Sequence, residues 1–301
     1  MADEKNTLII DLPEYVEQNK EQLYVDSIVP DELKWFDLML GVKYKASLHT
    51  LESEVVLHAA ECGWNPAGSD TFGERYVEVH LVEVEKEICY LNDLKETFAN
   101  YQYKWQAGLE TLPFAEKFGQ SNVAAVKRAI NDLVWMGDSG LGITGFIADI
   151  EEVSGNTITF ASGDTTIAKV DAMVAGLTAK MLRKGVRIFM SQTDYRNYVL
   201  ESNATCCSNR PVLNAADASI TYAGDSRIVL VPMEGLENQG VMVAATPDAL
   251  VYATDIRDAA DNYDLWFDKT SQNFMLRILF AAGTAVRFPD EVKMGAEAEG
   301  E

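Results

Sequence analysis

The residues whose types and spacing suggest chemistry begin with a glycine motif, GLGITG (140–145). It matches the dinucleotide-binding pattern G-x-G-x-x-G, in which a strand precedes the loop and a helix opening after the last glycine binds the pyrophosphate. In this chain a predicted helix precedes the motif, and no capped helix is expected after Gly145. We therefore interpret the motif as a turn that follows a helix, and we predict no cofactor.

A zinc site is the second candidate. The chain has three histidines, all in or beside one stretch of sequence: His49, His58 and His80. Together with Cys62 they include the ligand types that zinc prefers. If the two strand-like segments around them pair about the centre of the intervening loop, His58 faces Val77 and lies away from His80. We interpret the histidines as polar strand positions and predict no metal site.

Hydrolytic chemistry lacks a complete set of groups. No histidine follows residue 80, so a Ser–His–Asp triad would need its base from that early stretch. Ser191 and Asp194 stand where a short helix is predicted to begin, and we interpret them as its N-cap region rather than as a nucleophile and its orienting acid. The 47 acidic residues make any chance carboxylate pair uninformative. We predict no catalytic residue.

Composition indicates a globular protein of about two domains. Of its 301 residues 48% are hydrophobic and 24% are charged, with a net charge of −22. That charge argues against a dedicated nucleic-acid binder, because binding to phosphates depends on Lys and Arg. The N-terminus is not a signal peptide and no segment is apolar for about 20 residues, so we expect synthesis in the cytoplasm and no membrane. Four cysteines without a C-x-x-C pair indicate reduced thiols: Cys62, Cys89, Cys206 and Cys207.

The segment Leu51–Leu91 is predicted to form a long β-hairpin. Strand-like residues 51–60 and 75–91 flank a turn-rich loop, and Leu51, Ser53 and Val55 share a face with Leu57 and Ala59. The alternation slips at Leu81–Val82, which predicts a bulge there. An isolated two-stranded hairpin is marginally stable, so we expect it to pack against a partner, which could be another copy of the chain.

The other predicted elements follow in chain order. Periodicity and capping signals predict the following: an extended arm with a short helix near Leu12–Leu23; helices at 31–45, from Asn92 or Asp93 through Trp105, and from Ser121 to Gly137; a strand at 157–160, a helix at 167–184, a strand at 186–190 and a helix at 193–200; strands at 227–232 and 241–245; a helix at 247–253; and strands at 263–269 and 274–288 before a disordered acidic tail.

Three segments carry a resemblance to a known family. They are KRAINDLVWMGDSGLGITGFIAD (127–149), KGVRIFMSQTDYRNYV (184–199) and FMLRILFAAGTAVRFPDEV (274–292). With the order of elements, they make the chain resemble the major capsid protein of tailed bacteriophages, which has the Hong Kong 97-type fold. The implied fold class is α+β. The resemblance divides the chain into an N-terminal arm (1–50), a β-hairpin called the E-loop (51–91), a peripheral domain with a spine helix (92–155), an axial α/β domain (156–255), peripheral return strands (256–292) and an acidic tail (293–301).

The resemblance implies a structural subunit without catalysis. Such subunits form pentamers and hexamers of an icosahedral shell that encloses DNA without binding it specifically, first in the host cytoplasm and then in the virion. Implied partners are other copies, a separate scaffolding protein, a portal and decoration proteins. The hairpin residues predicted to contact a neighbour are Trp64, Pro66, Phe72, Val77, Val79 and Leu81; the alternative is a locally packed loop.

Some members of the family join subunits by an isopeptide bond from an E-loop lysine. No lysine occurs between Lys45 and Lys86, so we predict a shell without that bond. Two other functions remain open. One is an encapsulin-like nanocompartment shell, which has the same fold and a protein cargo. The other is a cytoplasmic α/β enzyme that oligomerises through a β-arm.

Overall fold

The computed structural model describes residues 2–56, 68–89, 114–152, 155–204, 212–214, 219–255 and 262–297. Its helices are α1 (Ala2–Ile28), α2 (Phe114–Met136), α3 (Phe146–Glu151), α4 (Thr166–Ala175), α5 (Ala179–Lys184) and α6 (Gln192–Ala204). Its strands are β1 (Asp37–Leu40), β2 (Lys45–Val55), β3 (Gly68–Glu78), β4 (His80–Cys89), β5 (Thr157–Phe160), β6 (Val186–Ser191), β7 (Val212–Asn214), β8 (Ser219–Thr221), β9 (Ile228–Met233), β10 (Val241–Ala245), β11 (Leu250–Asp255), β12 (Tyr263–Asp268), β13 (Asn273–Val286) and β14 (Val292–Glu297). Short 3-10 helices cover Asp31–Trp35, Glu234–Leu236 and Pro289–Glu291.

A five-stranded sheet is built around the long strand β13. β4 pairs antiparallel along one edge of β13, while β12 and β11 pair with its first and second halves on the other edge. β1 extends the sheet by pairing parallel with β11. Buried side chains of β13 alternate with partly or fully exposed ones over its first half, where one face is covered more than the other.

A seven-stranded sheet has the strand order β5-β14-β10-β6-β9-β8-β7. Its central strands are buried on both faces and consist almost entirely of apolar residues, as in the VRIFMS sequence of β6. Helices α4, α5 and α6 pack on this sheet through a second apolar cluster that includes Val170, Met173 and Met181.

The two long helices join the sheets into one core. α2 buries Val126, Ile130 and Val134 on one stripe, as its sequence periodicity predicts, and ends at Gly137 with a φ of 70°. An aromatic group with ring centroids 5.1–5.6 Å apart connects α2 and α3 to the seven-stranded sheet: Phe36, Trp135, Phe146 and Phe189.

The N-terminal predictions were wrong. Residues 2–28 form one helix rather than an extended arm with a short helix, and its buried side chains from Leu12 to Ile28 pack beside α2 and β12. Acidic residues interrupt the apolar stripe of this helix, which is why its periodicity is weak. The predicted helix at 31–45 is a single 3-10 turn followed by β1, because pairing with β11 outweighs the local helical spacing.

Several boundaries also differ from prediction. α2 starts at Phe114, so Ser121 lies inside the helix. The predicted helix at 167–184 is two helices, because the chain turns at Gly176 and Thr178 caps α5 with its hydroxyl. The helix predicted at 247–253 was wrong from residue 250 onward, because β11 begins there.

The acidic tail predicted to be disordered, EAEGE (297–301), lies outside the described residues except for Glu297, the last residue of β14. Val292–Glu297 form β14, which pairs with β10 and β5 inside the seven-stranded sheet. These residues are therefore part of the folded body of the chain. The helix predicted from Asn92 or Asp93 through Trp105 lies outside the described residues. Strands predicted at 157–160, 186–190, 227–232, 241–245, 263–269 and 274–288 are confirmed within one or two residues. No helix among the described residues is long and apolar enough to cross a membrane.

Candidate intersubunit interface

The hairpin arm consists of β2 and β3, which among the described strands pair only with each other. Lys45 pairs with Glu78 at one end and Val55 with Gly68 at the other. The predicted register was wrong, because Val77 lies opposite Ala46 rather than His58. The hairpin begins earlier than predicted, and its second strand ends at Glu78, so that β4 belongs to the five-stranded sheet.

The root of the arm is buried in the subunit. Val77 and Val79 are 0% and 4% exposed, and they pack with Leu48 against β11 and β13 of the same chain. Both valines were predicted to contact a neighbouring subunit, and that prediction was wrong because their side chains fill the subunit's own core. Alternation of apolar and polar residues identifies a strand and its apolar face. It does not show whether that face is covered by the same chain or by a neighbouring subunit.

The outer face of the arm carries exposed apolar side chains among polar ones such as His49, Ser53 and Asp70. Leu51 lies directly opposite Phe72, and these side chains are 60% and 79% exposed. Val55 and Tyr76 lie on the same face, since residues two apart along a strand share a face, and both are exposed. Four exposed apolar side chains on one face of a two-stranded ribbon form a surface typical of protein contacts. Phe72 was among the predicted residues; Leu51, Val55 and Tyr76 were not, although the period-2 pattern of β2 indicated the shared face of Leu51 and Val55.

The strand break lies at Val79, not at the predicted Leu81–Val82. The Val79 N–H donates to the Tyr44 carbonyl at 2.9 Å, which joins the two chain segments at the root. Leu81 follows on β4, opposite Ala281, and is 73% exposed on the face of the five-stranded sheet away from α2. It is therefore available to a neighbour, but from the body of the subunit rather than from the arm.

Charged groups line a cavity of about 430 Å³ at the root. Lys45 donates to Glu78 at 2.7 Å, and this hydrogen bond raises the pKa of Lys45 and lowers the pKa of Glu78. The Lys45 ammonium also lies 4.2 Å from the centre of the Tyr76 ring. Across the cavity, burial raises the pKa of Asp149 to about 6, against the opposing effect of Arg75.

The remaining candidates have structural explanations. Ser191 is an N-cap, because its Oγ accepts from the Asp194 N–H at 2.9 Å. GLGITG forms a turn between α2 and α3, closed by a bridge between Asp138 and Ile143. α3 opens after Gly145 without a side-chain cap, in agreement with the prediction that no capped helix begins there.

Trp64, Pro66, His58 and Cys62 lie outside the described residues. Within the described residues no group of three or more His, Cys, Asp or Glu side chains is arranged to hold a metal ion. The His80 ring packs against the turn, where a Cβ on Gly142 would lie 3.1 Å from it. His49 hydrogen-bonds Ser47 at 3.1 Å on the arm.

Comparison with known proteins shows likeness at the level of structure. No protein-family model matches the chain, and no curated protein matches its sequence. The procapsid of satellite phage P4, solved with its size-determination protein, matches 96% of this chain and 92% of its own at 8% identity, with a TM-score of 0.61. A structure from Microbacterium phage Oxtober96 matches 89% and 91% at 10% identity, with a TM-score of 0.55. The virus-like particle from Pyrococcus furiosus matches 95% and 99% at 10% identity, with a TM-score of 0.51.

These matches extend over nearly the full length of both chains, so they cover the arm, the long helix α2 and both sheets together. At such low identity they establish the fold and leave the function to be argued from the site. The chain has the α+β fold of these particle-forming proteins, and the predicted Hong Kong 97-type capsid fold is confirmed.

Proposed function

We propose that this chain is the major capsid subunit of a tailed bacteriophage or prophage, and that it assembles into pentamers and hexamers of an icosahedral shell. The observation that supports this most directly is the arm, which buries its root in the subunit and exposes large apolar side chains such as Leu51 and Phe72. Such a ribbon gains stability only when another surface covers it. The fold shared with procapsid and capsid structures supports a neighbouring copy as that surface.

Assembly needs no strong single contact. Each subunit repeats the same arm contact around a ring, and repeated weak contacts give a stable closed particle. The residues proposed to make this contact are Leu51, Val55 and Phe72 on the outer face of the arm, with Trp64 and Pro66 from the sequence between its two strands. Leu81 is proposed as a contact from the body.

The interior of the shell is proposed to enclose DNA without binding it specifically. A subunit with a net charge of −22 repels phosphates, which suits a container better than a nucleic-acid binder. The role is structural, without catalysis by the chain itself. A separate scaffolding protein, a portal and decoration proteins are proposed partners, and the virion is the proposed final location after assembly in the host cytoplasm.

Electron microscopy of the purified protein in negative stain, with size-exclusion chromatography, tests the proposal. We expect rings or closed shells in the void volume. A discrete dimer or tetramer at all concentrations would contradict a capsid and favour an enzyme with an oligomerising β-arm. Shells that contain a protein cargo and no DNA when isolated from the native host would instead favour a nanocompartment. The likeness to the Pyrococcus furiosus virus-like particle is the reason for including this alternative.

The contribution of the arm is tested by replacing its apolar pair. Leu51→Ser with Phe72→Ser removes exposed apolar surface, so the subunit should fold normally and fail to form particles. Leu200→Ser is the matched control, because Leu200 is also exposed, at 62%, but lies on α6. Particles of normal size and yield from the double variant would overturn the role of this face.

A further inference from the structure

Helix α5 carries a concentrated basic patch on an acidic protein. Lys180, Arg183 and Lys184 are exposed and fall within five consecutive positions, while the whole chain has 25 basic and 47 acidic residues. We name these three side chains the α5 patch. A local cluster of this kind in a chain of net charge −22 attracts acidic groups that the rest of the surface repels.

The patch is anchored from below by one buried carboxylate. Glu291 is 0% exposed and accepts hydrogen bonds from Lys184 at 2.6 and 2.8 Å, and Lys180 lies 3.3 Å from it. The two lysine side chains remain 44% and 41% exposed. Because one carboxylate faces two ammonium groups, the attraction holds both lysines in place beside the exposed Arg183.

The arm has the complementary charge. Residues 51–74 contain no Lys or Arg and five acidic residues: Glu52, Glu54, Glu61, Asp70 and Glu74. The fold already brings the two surfaces together, because one cleft of about 500 Å³ is lined by Ser53 and Glu54 of the arm and by Lys180 and Lys184 of α5. The arm therefore lies over the patch of its own chain with an open cleft between them.

We propose that the α5 patch binds the acidic arm of a neighbouring copy. On assembly, the neighbour's arm displaces the subunit's own arm from the patch. This inference rests on the proposed function. The arm is suited to such an exchange, since its two strands pair with each other and it joins the five-stranded sheet through the single residue Val79 on one side. Because the copies are identical, an arm makes the same contacts with a neighbour's patch as with its own. No arm–patch contact is therefore lost when the arms are exchanged.

Carbodiimide coupling of native particles tests which copy supplies the arm. The reagent links a carboxylate to an ammonium group in contact with it, and mass spectrometry identifies the joined peptides. Particles assembled from equal amounts of ¹⁴N- and ¹⁵N-labelled subunits should give arm–α5 peptides that carry both labels. Peptides with a single label throughout, or particles that couple elsewhere but never between the arm and α5, would overturn the inference while leaving the capsid function intact.

A variant cycle tests the charge pair itself. Glu54→Gln and Lys180→Gln should each raise the subunit concentration needed for assembly by about two- to fivefold, and the double variant should add little to either. Glu21→Gln and Lys269→Gln, at exposed sites away from the cleft, are the matched controls. Circular dichroism of each unassembled variant shows whether it is folded. Folded single variants that assemble like the wild type, or effects that simply add in the double variant, would contradict a direct pair.

Discussion

At the scale of single residues, Glu32 carries a carboxyl group in an unfavourable position. Its Oε1 accepts the Glu234 N–H at 2.9 Å, while Oε2 is buried with no hydrogen-bond partner among the described residues. Burial raises the pKa of Glu32 to about 7, helped by the nearby charges of Glu234 and Asp132 and opposed by the backbone hydrogen bond. The folded protein therefore binds a proton here that the unfolded chain releases at lower pH.

This sets the direction of a pH effect. Because the folded pKa of Glu32 lies above its ordinary value of 4.5, its contribution to the free energy of unfolding falls as pH rises from about 4.5 to about 7 and then stays low. Glu32→Gln removes this titration. The free energy of unfolding should therefore decrease less between pH 5 and pH 8 in the variant than in the wild type, by up to about 3 kcal/mol. Urea unfolding of unassembled subunits at both pH values measures it, with Glu21→Gln as control. An unchanged difference between the two pH values would contradict the assignment.

Glu291 has the opposite behaviour. Burial raises its pKa, but hydrogen bonds from Lys184 and Thr246 lower it more, so the pKa lies below its ordinary value. Its stabilising effect is present above pH 4.5 and is lost as pH falls through the folded pKa. Glu291→Gln should lower the free energy of unfolding at pH 7 by about 1–3 kcal/mol. Asp290→Asn, next to it but exposed, should change little. A variant as stable as the wild type at pH 7 would show that the two lysines do not depend on this carboxylate.

At the scale of elements, one glycine sets where the arm leaves the five-stranded sheet. A Cβ on Gly283 of β13 would lie 2.0 Å from the carbonyl oxygen of Glu78, where the chain passes from the arm to β4. Gly283→Ala should therefore cost about 1–3 kcal/mol of folding stability, because backbone atoms of both strands must move apart. Gly140→Ala in an exposed turn, where the nearest atom belongs to a flexible side chain, is the control. Thermal unfolding measures both, and equal midpoints would contradict the close contact.

Sequence patterns predicted elements with strong internal periodicity and failed where a distant partner decides the conformation. The alternating β13 and the apolar stripe of α2 were found because each pattern reports one buried face. β1 and β11 were predicted as helices, because four to six residues are too few for a period and their pairing joins segments more than 200 residues apart. Gly283, inside a predicted strand, is a signal of close backbone approach that could have located the root of the arm.

The candidate interface was predicted in part for the same reason. Exposure of Phe72 and Leu81 agrees with a contact role, which stays a prediction, whereas Val77 and Val79 proved to be core. Alternation identifies two faces of a strand, and only the tertiary structure shows that β11 and β13 cover one of them. The exposed apolar side chains are brought together by the register of β2 and β3. That register places Leu51 opposite Phe72, which is 21 positions away in the sequence.

At the scale of the whole molecule, the two sheets share one core while the arm and the α5 patch are left exposed. The aromatic group of Phe36, Trp135, Phe146 and Phe189 ties α2 to the seven-stranded sheet, and Gly137 and Gly145 let the chain turn between α2 and α3. The body of the chain therefore has a core of its own, to which the proposed assembly would add further contacts. Weak, exchangeable contacts suit a shell in which errors must be corrected before closure.

The same reasoning predicts how the mature particle is held together. The arm has no lysine between Lys45 and Lys86, and Lys45 itself lies at the root, 2.7 Å from Glu78. The exposed part of the arm therefore supplies no lysine amine for an isopeptide bond, and we expect the proposed shell to depend on packing and charge. Mature particles boiled in detergent should run as one band at 33.3 kDa on a denaturing gel. Particles treated with carbodiimide provide the control that multimers are visible on the same gel, and a covalent ladder from untreated particles would contradict the prediction.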